Sequence, residues 1–234
     1  MAIPTIAPYP LPTESELPGR KVDWRLDRSR ATLLVHDMQR YFVDLFPVGQ
    51  QPMVRVLRNI AAIRDLARRH GVPVVYTAQP GGMTRVQRGL LYDFWGAGMT
   101  VDPEHRRIVA DLAPRPHETV LTKWRYSAFA RTDLEELLRR QGRDQLVICG
   151  IYAHVGCLMT ACDAFSRDIQ PFLVADAVAD FSAEEHRLAL DYAAGRCAVT
   201  LPTSAVLSAL AATGSDQAVA TAAGSSRPAA RPAS

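Results

Sequence analysis

The stretch ATLLVHDMQ, residues 31–39, sets the fold of this chain. It is a short, mostly apolar run that stops at a charged residue, Asp37, as is typical of a strand buried on both faces. Similar runs recur along the chain at 73–77 (PVVYT), 118–122 (ETVLT), 145–149 (QLVIC), 171–174 (PFLV) and 198–201. We therefore predict six strands.

Amphipathic segments lie between these runs. Helices are predicted at 53–70, 132–141, 156–166, from about 182, and at 203–211. Buried strands that alternate with helices favour a parallel sheet covered on both faces, and right-handed crossovers then wind it in two directions. The predicted fold class is α/β, a three-layer αβα sandwich with a doubly wound, mostly parallel six-stranded sheet of Rossmann-like topology.

Length and composition favour one globular domain. The chain has 234 residues, of which 48% are hydrophobic and 22% charged, an ordinary balance for a packed core. We predict a single domain at residues 1–212 and a disordered Ala/Ser/Pro-rich tail at 213–234. The Pro-rich start lacks the pattern of a signal peptide, and no apolar run is long enough to span a bilayer, so a cytoplasmic protein is expected.

Charge and cysteine usage narrow the function classes. The net charge is only +3 and the basic residues are scattered, so neither a nucleic-acid nor a membrane partner is expected. The four cysteines form no CxxC pair and no zinc-finger spacing, which indicates reduced, structural thiols. We expect no metal and no cofactor. All basic residues except Lys21 and Lys123 are arginine, which draws attention to Lys123.

Polar residues follow several of the predicted strands directly. Asp37, Gln79, Lys123, Tyr152 and Gly156 all come at or soon after strand ends. Alone, each has an ordinary explanation: an Asp can cap a turn, a Lys can be a surface charge and a Tyr can pack in the core. Because ligands of open parallel sheets bind at the carboxyl ends of the strands, the joint placement predicts a functional site there.

Several common chemistries lack their motifs. The chain has no G-x-S-x-G nucleophile elbow, no phosphate-binding loop and no G-x-G-x-x-G after the first strand. Serine-hydrolase, nucleotide-triphosphate and dinucleotide chemistry are therefore not predicted.

Five stretches resemble a known family. They are LLVHDMQRYF (33–42), VYTAQPG (75–81), LTKWRYSAF (121–129), GIYAHVGCLMTACDAFSRDIQPFLVADAVADFS (150–182) and HRLALDYAAGRC (186–197). Over residues 1–210 the chain resembles isochorismatases of the cysteine-hydrolase-like superfamily. The resemblance implies an isochorismatase-like fold and an ether hydrolase that works without metal or cofactor.

The resemblance also assigns site residues. Asp37 and Lys123 match the acid and amine of the superfamily's Asp–Lys–Cys triad, whereas the cysteine position falls on Gly156, so a covalent route is not expected. Asp37 is then the general acid, which must be protonated near neutral pH, and burial should raise its pKa. A charged Lys123 close by would lower that pKa, and the sequence leaves this balance open. Lys123 would orient Asp37. The residues implied to bind substrate are Gln79, Arg88, Tyr152 and Gly156, with Trp95 and Phe42 as an apolar wall.

The resemblance leaves the substrate open between two chorismate-derived acids. Residues 81–99 look like the stand-alone phenazine-type enzymes, which convert 2-amino-2-deoxyisochorismate to trans-2,3-dihydro-3-hydroxyanthranilate and pyruvate; we favour this reaction. Residues 21–24 (KVDW) and Cys157 look like the siderophore-type isochorismatases, which form 2,3-dihydro-2,3-dihydroxybenzoate. A non-catalytic docking partner for a carrier protein or pathway enzyme is the alternative of another class. A homodimer is also implied.

Overall fold

Six strands form the centre of the protein in the computed structural model, which describes residues 4–212. They are β1 (Ala31–His36), β2 (Val74–Ala78), β3 (Thr119–Thr122), β4 (Gln145–Ile151), β5 (Gln170–Ala179) and β6 (Val199–Leu201). The predicted strands are confirmed, with small shifts at their ends. The main difference is β5, which was predicted to end at residue 174. It continues to Ala179 because, after a register shift, Val178 and Ala179 pair with Gly150 and Ile151 of β4.

Helices connect these strands within the described range. They are α1 (Arg40–Val43), α2 (Met53–Arg69), α3 (Arg85–Arg88), α4 (Leu91–Trp95), α5 (Pro103–Arg106), α6 (Leu134–Arg140), α7 (Leu158–Phe165), α8 (Ala183–Arg196) and α9 (Thr203–Ala211). The helix predicted at 156–166 is entered through a π-helical turn, Ala153–Cys157. Such turns are rare in proteins, and those that occur often lie at functional sites.

All neighbouring strands run parallel, in the order β3-β2-β1-β4-β5-β6. This is the strand order of doubly wound nucleotide-binding folds, and it confirms the predicted architecture. The order reverses between β1 and β4, where His36 pairs with Gly150. The crossovers on the two sides of this point leave in opposite directions, so a crevice opens between the carboxyl ends of β1 and β4.

Side chains of the central strands alternate between two buried layers. Leu33 and Val35 of β1 pack into a cluster that contains Ile60 of α2, whereas Leu34 packs into a second cluster with Ala161 of α7. Successive strand residues face opposite sides of a sheet, so a strand that is apolar at every position must be covered on both faces. Helices α2 and α9 cover one face, and α6, α7 and α8 cover the other.

Tyr9 links the N-terminal segment to Asp180, directly after β5, and to His186 of α8. The Asp180 N–H donates to the Tyr9 hydroxyl at 2.7 Å, and that hydroxyl contacts His186 Nδ1 at 3.2 Å. His186 Nε2 lies 2.9 Å from the carbonyl oxygen of Ala175, which can only accept. Nε2 therefore carries the proton, and Tyr9 donates to Nδ1.

Two predictions meet the limits of the described range. No helix within residues 4–212 is both long enough and apolar enough to span a membrane. The tail predicted at 213–234 lies outside the described residues, and the single-domain boundary at 212 remains a prediction.

Candidate active site

A pocket of about 630 Å³, including its open mouth, lies at the crevice between β1 and β4. Its lining comprises His36, Asp37, Tyr41, Phe42, Gln79, Arg88, Leu91, Trp95, Met99, Lys123, Arg125, Tyr126, Ile151, Tyr152, Val155, Gly156 and Phe181. All eight site residues predicted from the sequence line this one pocket.

Asp37 occupies a strained position immediately after β1. Its φ of 49° lies in the left-handed region, which few residues other than glycine adopt and which is concentrated at functional sites. The backbone is held there by Thr77, since the Asp37 N–H donates to the Thr77 hydroxyl at 3.1 Å. The Thr77 hydroxyl in turn donates to Asp37 Oδ1 at 2.6 Å.

Hydrogen-bond donors surround the Asp37 carboxylate. Besides Thr77, Lys123 Nζ lies 2.9 Å from Oδ2 and Gln79 Nε2 lies 3.4 Å from the same oxygen. Lys123 is itself fixed, because Nζ also donates to the carbonyl of Arg125 at 2.7 Å. Both charged side chains are buried, with exposures of 6% for Asp37 and 3% for Lys123. An ionised carboxylate fits such surroundings, because it can only accept.

The balance between burial and Lys123 lowers the pKa of Asp37. Burial by itself would raise the pKa, as predicted, but the positive charge of Lys123, with smaller contributions from His36 and Thr77, holds the pKa of Asp37 below its usual value. An ammonium group in contact stabilises the charged form more than desolvation destabilises it. Without substrate, the carboxyl is therefore ionised at neutral pH.

Gln79 and Arg88 extend the polar side of the pocket. Arg88 Nη1 donates to Gln79 Oε1 at 3.4 Å, and Nε donates to the carbonyl of Gly96 at 2.8 Å. Arg88 is only 6% exposed, and burial lowers its pKa. Gln39 fixes the backbone of Gln79 from both sides: its amide donates to the Gln79 carbonyl at 2.9 Å and accepts from the Gln79 N–H at 2.7 Å.

Aromatic rings form the apolar side. The Tyr152 ring lies 4.4 Å from that of Phe181 and 6.0 Å from that of Phe42, measured between centroids. Trp95 lies 6.0 Å from Phe181 and donates through Nε1 to the Tyr126 hydroxyl at 2.6 Å. The Tyr152 hydroxyl donates to the carbonyl of Phe42 at 3.1 Å. Tyr152 therefore contributes its ring to the pocket and uses its hydroxyl for a structural bond.

Gly156 lies in the π-helical turn, and its N–H already donates to the carbonyl of Tyr152 at 3.0 Å. This N–H therefore bonds within the turn rather than pointing into the pocket as a free donor. The ring of His36 packs against Gly156 instead. The neighbouring Cys157 is fully buried, and burial raises its pKa well above that of a free thiol. Such a thiol is unreactive.

Sequence reasoning missed several lining or supporting residues. Thr77 could have been found, since it is the polar residue near the end of an apolar strand and shares a strand face with Gln79. Phe181 could not, because the predicted fifth strand stopped at residue 174. Arg125 and Tyr126 follow Lys123 directly in the loop after β3, and the sequence pattern assigned them no role.

One group of possible metal ligands lies beside the pocket. Within the described residues, ligand atoms of His154, Asp180 and Glu185 fall within 4.8 Å of one another. His154 Nδ1 lies 2.7 Å from Asp180 Oδ1, and the His154 and Phe181 N–H groups donate to the same carboxylate. These groups satisfy one another, so they brace the π-helical turn against the end of β5.

Comparison with known proteins gives a consistent family. The profile of the isochorismatase domain matches residues 31–205. The chain is 56% identical to the phenazine biosynthesis protein PhzD of Pseudomonas fluorescens over 205 residues, which cover 88% of this chain and 98% of that protein. It is 55% identical to an isochorismatase of Bacillus subtilis strain 168 over 90% of this chain and 67% of that protein. Among solved structures, an isochorismatase family protein from Burkholderia thailandensis superposes with a TM-score of 0.72 at 25% identity, covering 79% and 97% of the two chains.

Proposed function

The chain belongs to the isochorismatase family, and from this membership we propose that it hydrolyses the enolpyruvyl ether of 2-amino-2-deoxyisochorismate. The products are trans-2,3-dihydro-3-hydroxyanthranilate and pyruvate. The observation that carries the proposal is a buried carboxyl, Asp37, held by Lys123 at the end of a pocket with a glycine at residue 156. This arrangement supplies an acid and no nucleophile at that position, as vinyl-ether hydrolysis requires.

In the proposed reaction, Asp37 is the general acid. Its proton goes to the terminal vinyl carbon, whose π electrons form the new C–H bond and leave an oxocarbenium ion. Water adds to the oxygen-bearing carbon of this oxocarbenium ion and loses a proton to Asp37. The resulting hemiketal then breaks the bond between its central carbon and the ether oxygen; the hemiketal hydroxyl loses its proton to become the ketone of pyruvate, and the ether oxygen stays on the ring and takes a proton to become the ring alcohol. Atoms balance with one water consumed and no cofactor.

Substrate binding prepares the acid. The carboxyl is ionised in the free protein, so it must gain a proton once the substrate is bound. A dicarboxylate brings two negative charges beside Asp37, which favour the neutral carboxyl, and it competes for the Lys123 ammonium. The pocket wall of Trp95, Phe42, Tyr152 and Phe181 excludes water and strengthens both effects.

The test is pyruvate release from 2-amino-2-deoxyisochorismate and isochorismate, measured side by side as kcat/KM. A tenfold preference corresponds to about 1.4 kcal/mol of differential transition-state binding, and a preference for the amino compound supports the proposal. A preference for isochorismate supports the alternative siderophore-type reaction, which the 55% identity to an isochorismatase also favours. Asp37→Ala should abolish turnover and retain substrate binding.

If neither compound releases pyruvate, the non-catalytic docking partner becomes the better explanation. The family resemblance further leads us to propose a cytoplasmic homodimer, for which light scattering on the purified protein should give twice the mass of 25.7 kDa.

A further inference from the structure

Arg125 lines the pocket two residues after Lys123, on the loop that follows β3. Its Nη1 donates to the carbonyls of Gln87 at 2.8 Å and Trp124 at 2.6 Å. Among the described residues, its Nε and Nη2 groups make no hydrogen bond, and no carboxylate forms an ion pair with it. The guanidinium is thus held in place through one nitrogen, and its other donors remain available.

The guanidinium groups of Arg88 and Arg125 each pack against a glycine. A Cβ on Gly98 would lie 2.5 Å from Cζ of Arg88, and a Cβ on Gly89 would lie 2.8 Å from Nη2 of Arg125. Both glycines have positive φ, 73° and 56°, so no other residue fits easily at either place. Both guanidinium groups also bond to backbone carbonyls of the segment 87–96. The connection between β2 and β3 therefore supplies both the glycines and the carbonyl groups that contact the two guanidinium groups.

The charges in the pocket do not balance without a ligand. The lining includes the cations of Arg88, Lys123 and Arg125, and among its residues Asp37 is the one carboxylate. Lys123 and Asp37 neutralise each other at 2.9 Å. Two arginines remain without an anionic partner in the described part of the chain, and burial is the leading cause that lowers the pKa of each. Two guanidinium groups match the charge of a dicarboxylate.

We propose that Arg88 and Arg125 form two separate carboxylate subsites, with Arg125 binding the second carboxylate of a dianionic substrate. This inference rests on the proposed function, in which the substrate carries one carboxylate on its ring and one on its enolpyruvyl group. Each arginine can donate two parallel hydrogen bonds to a carboxylate.

Stable ether acids test the proposal by calorimetric titration. The dicarboxylate probe is 3-(1-carboxyethoxy)benzoate; 3-ethoxybenzoate lacks its side-chain carboxylate, and 2-phenoxypropionate lacks its ring carboxylate. Arg125→Gln should weaken binding of the dicarboxylate at least tenfold. It should also weaken binding of one monocarboxylate and leave binding of the other unchanged. Arg88→Gln should show the reverse pattern with the two monocarboxylates. Arg125→Lys should give intermediate affinity, because it keeps the charge and loses the planar fork.

The matched control is Arg85→Gln, which removes an arginine of the same connection between β2 and β3 that is 71% exposed and outside the pocket lining. It should bind all three probes like the wild type. The proposal is overturned if Arg125→Gln binds the probes as the wild type does, or if Arg125→Gln and Arg88→Gln both lose binding of the same monocarboxylate. Thermal unfolding at the wild-type temperature shows that both variants are folded. Pyruvate release is measured separately. Its absence in a wild type that shows the expected probe pattern contradicts the function and leaves the subsites standing.

Discussion

The imidazole ring of His36 occupies the space that a side chain at residue 156 would need. A Cβ built on Gly156 would lie 2.2 Å from His36 Cε1 and 2.9 Å from Nε2. The ring cannot turn away easily, because Nδ1 donates to the carbonyl of Ile151 at 2.8 Å and the side chain is fully buried. The backbone of Gly156 is not left-handed, so space rather than φ requires glycine. A cysteine could act at residue 156 only if His36 also changed.

Gly156→Ala should therefore destabilise the protein by about 1–3 kcal/mol, the usual cost of overpacking a core. Adding His36→Ala should recover much of this loss, because it removes the ring that the new methyl group meets. Urea unfolding of the wild type, both single variants and the double variant measures the coupling. Effects that add to within about 0.5 kcal/mol would show that the two residues do not compete for space.

The proton of Asp37 should make turnover depend on pH. Since the carboxyl is ionised in the free protein and must be neutral to act, one proton is taken up between free enzyme and transition state. The logarithm of kcat/KM should then fall with a slope approaching −1 as pH rises from about 5 to 8. Calorimetric binding of 3-(1-carboxyethoxy)benzoate in buffers of different ionisation enthalpy should show proton uptake that Asp37→Asn lacks. A flat profile would instead indicate that Lys123 passes its own proton to Asp37.

Lys123→Met should destabilise the protein by about 3–5 kcal/mol at pH 7, the usual cost of leaving a buried charge without its partner. In the wild type the pKa of Asp37 is lowered, so the stability this carboxyl contributes is present above its unfolded pKa and lost as pH falls. Without Lys123, burial dominates and the pKa rises, so the gap between variant and wild type should narrow as pH falls toward 4. Asp37→Asn in the Lys123→Met background is the control and should restore stability at pH 7. Equal gaps at both pH values would contradict the ion-pair account.

Tyr152→Phe should leave KM within about twofold of the wild-type value and cost about 1 kcal/mol of stability, the net worth of one hydrogen bond. The reason is that the hydroxyl bonds to the carbonyl of Phe42, while the ring stays in place against Phe181. Steady-state kinetics with thermal unfolding of the same samples checks both values. A tenfold rise in KM would instead show that the Tyr152 hydroxyl takes part in binding the substrate.

The sheet could be predicted because its signal is local. An apolar run such as 31–36 marks a strand buried on both faces, and a parallel sheet places the residues that follow its strands at one edge. That reasoning brought Asp37, Gln79 and Lys123 together without any measured distance. It failed at β5, because Asp176 interrupts the apolar pattern. As a result, the sequence did not predict that Phe181 lines the pocket.

The electrostatics could not be predicted from the sequence. The pKa of Asp37 depends on a 2.9 Å contact with Lys123, which is set by the register of β1, β2 and β3 rather than by any motif. A longer separation would have left desolvation in control and the pKa raised. The seating of Arg125 over Gly89 likewise requires the path of the backbone after β2, a region of short helices with weak sequence signals.

The hydrogen bonds of Tyr9 with Asp180 and His186 have a consequence for the growing polypeptide on the ribosome. Tyr9 lies 171 residues before Asp180 and 177 before His186. At about 5–20 residues per second, roughly 10–30 seconds of translation separate its emergence from that of its partners. The strands β1 to β4 can pair during this interval while the N-terminal segment waits unattached. Its docking is thus one of the last long-range events of biogenesis, and a chaperone or fusion partner bound to the first residues would act by delaying it.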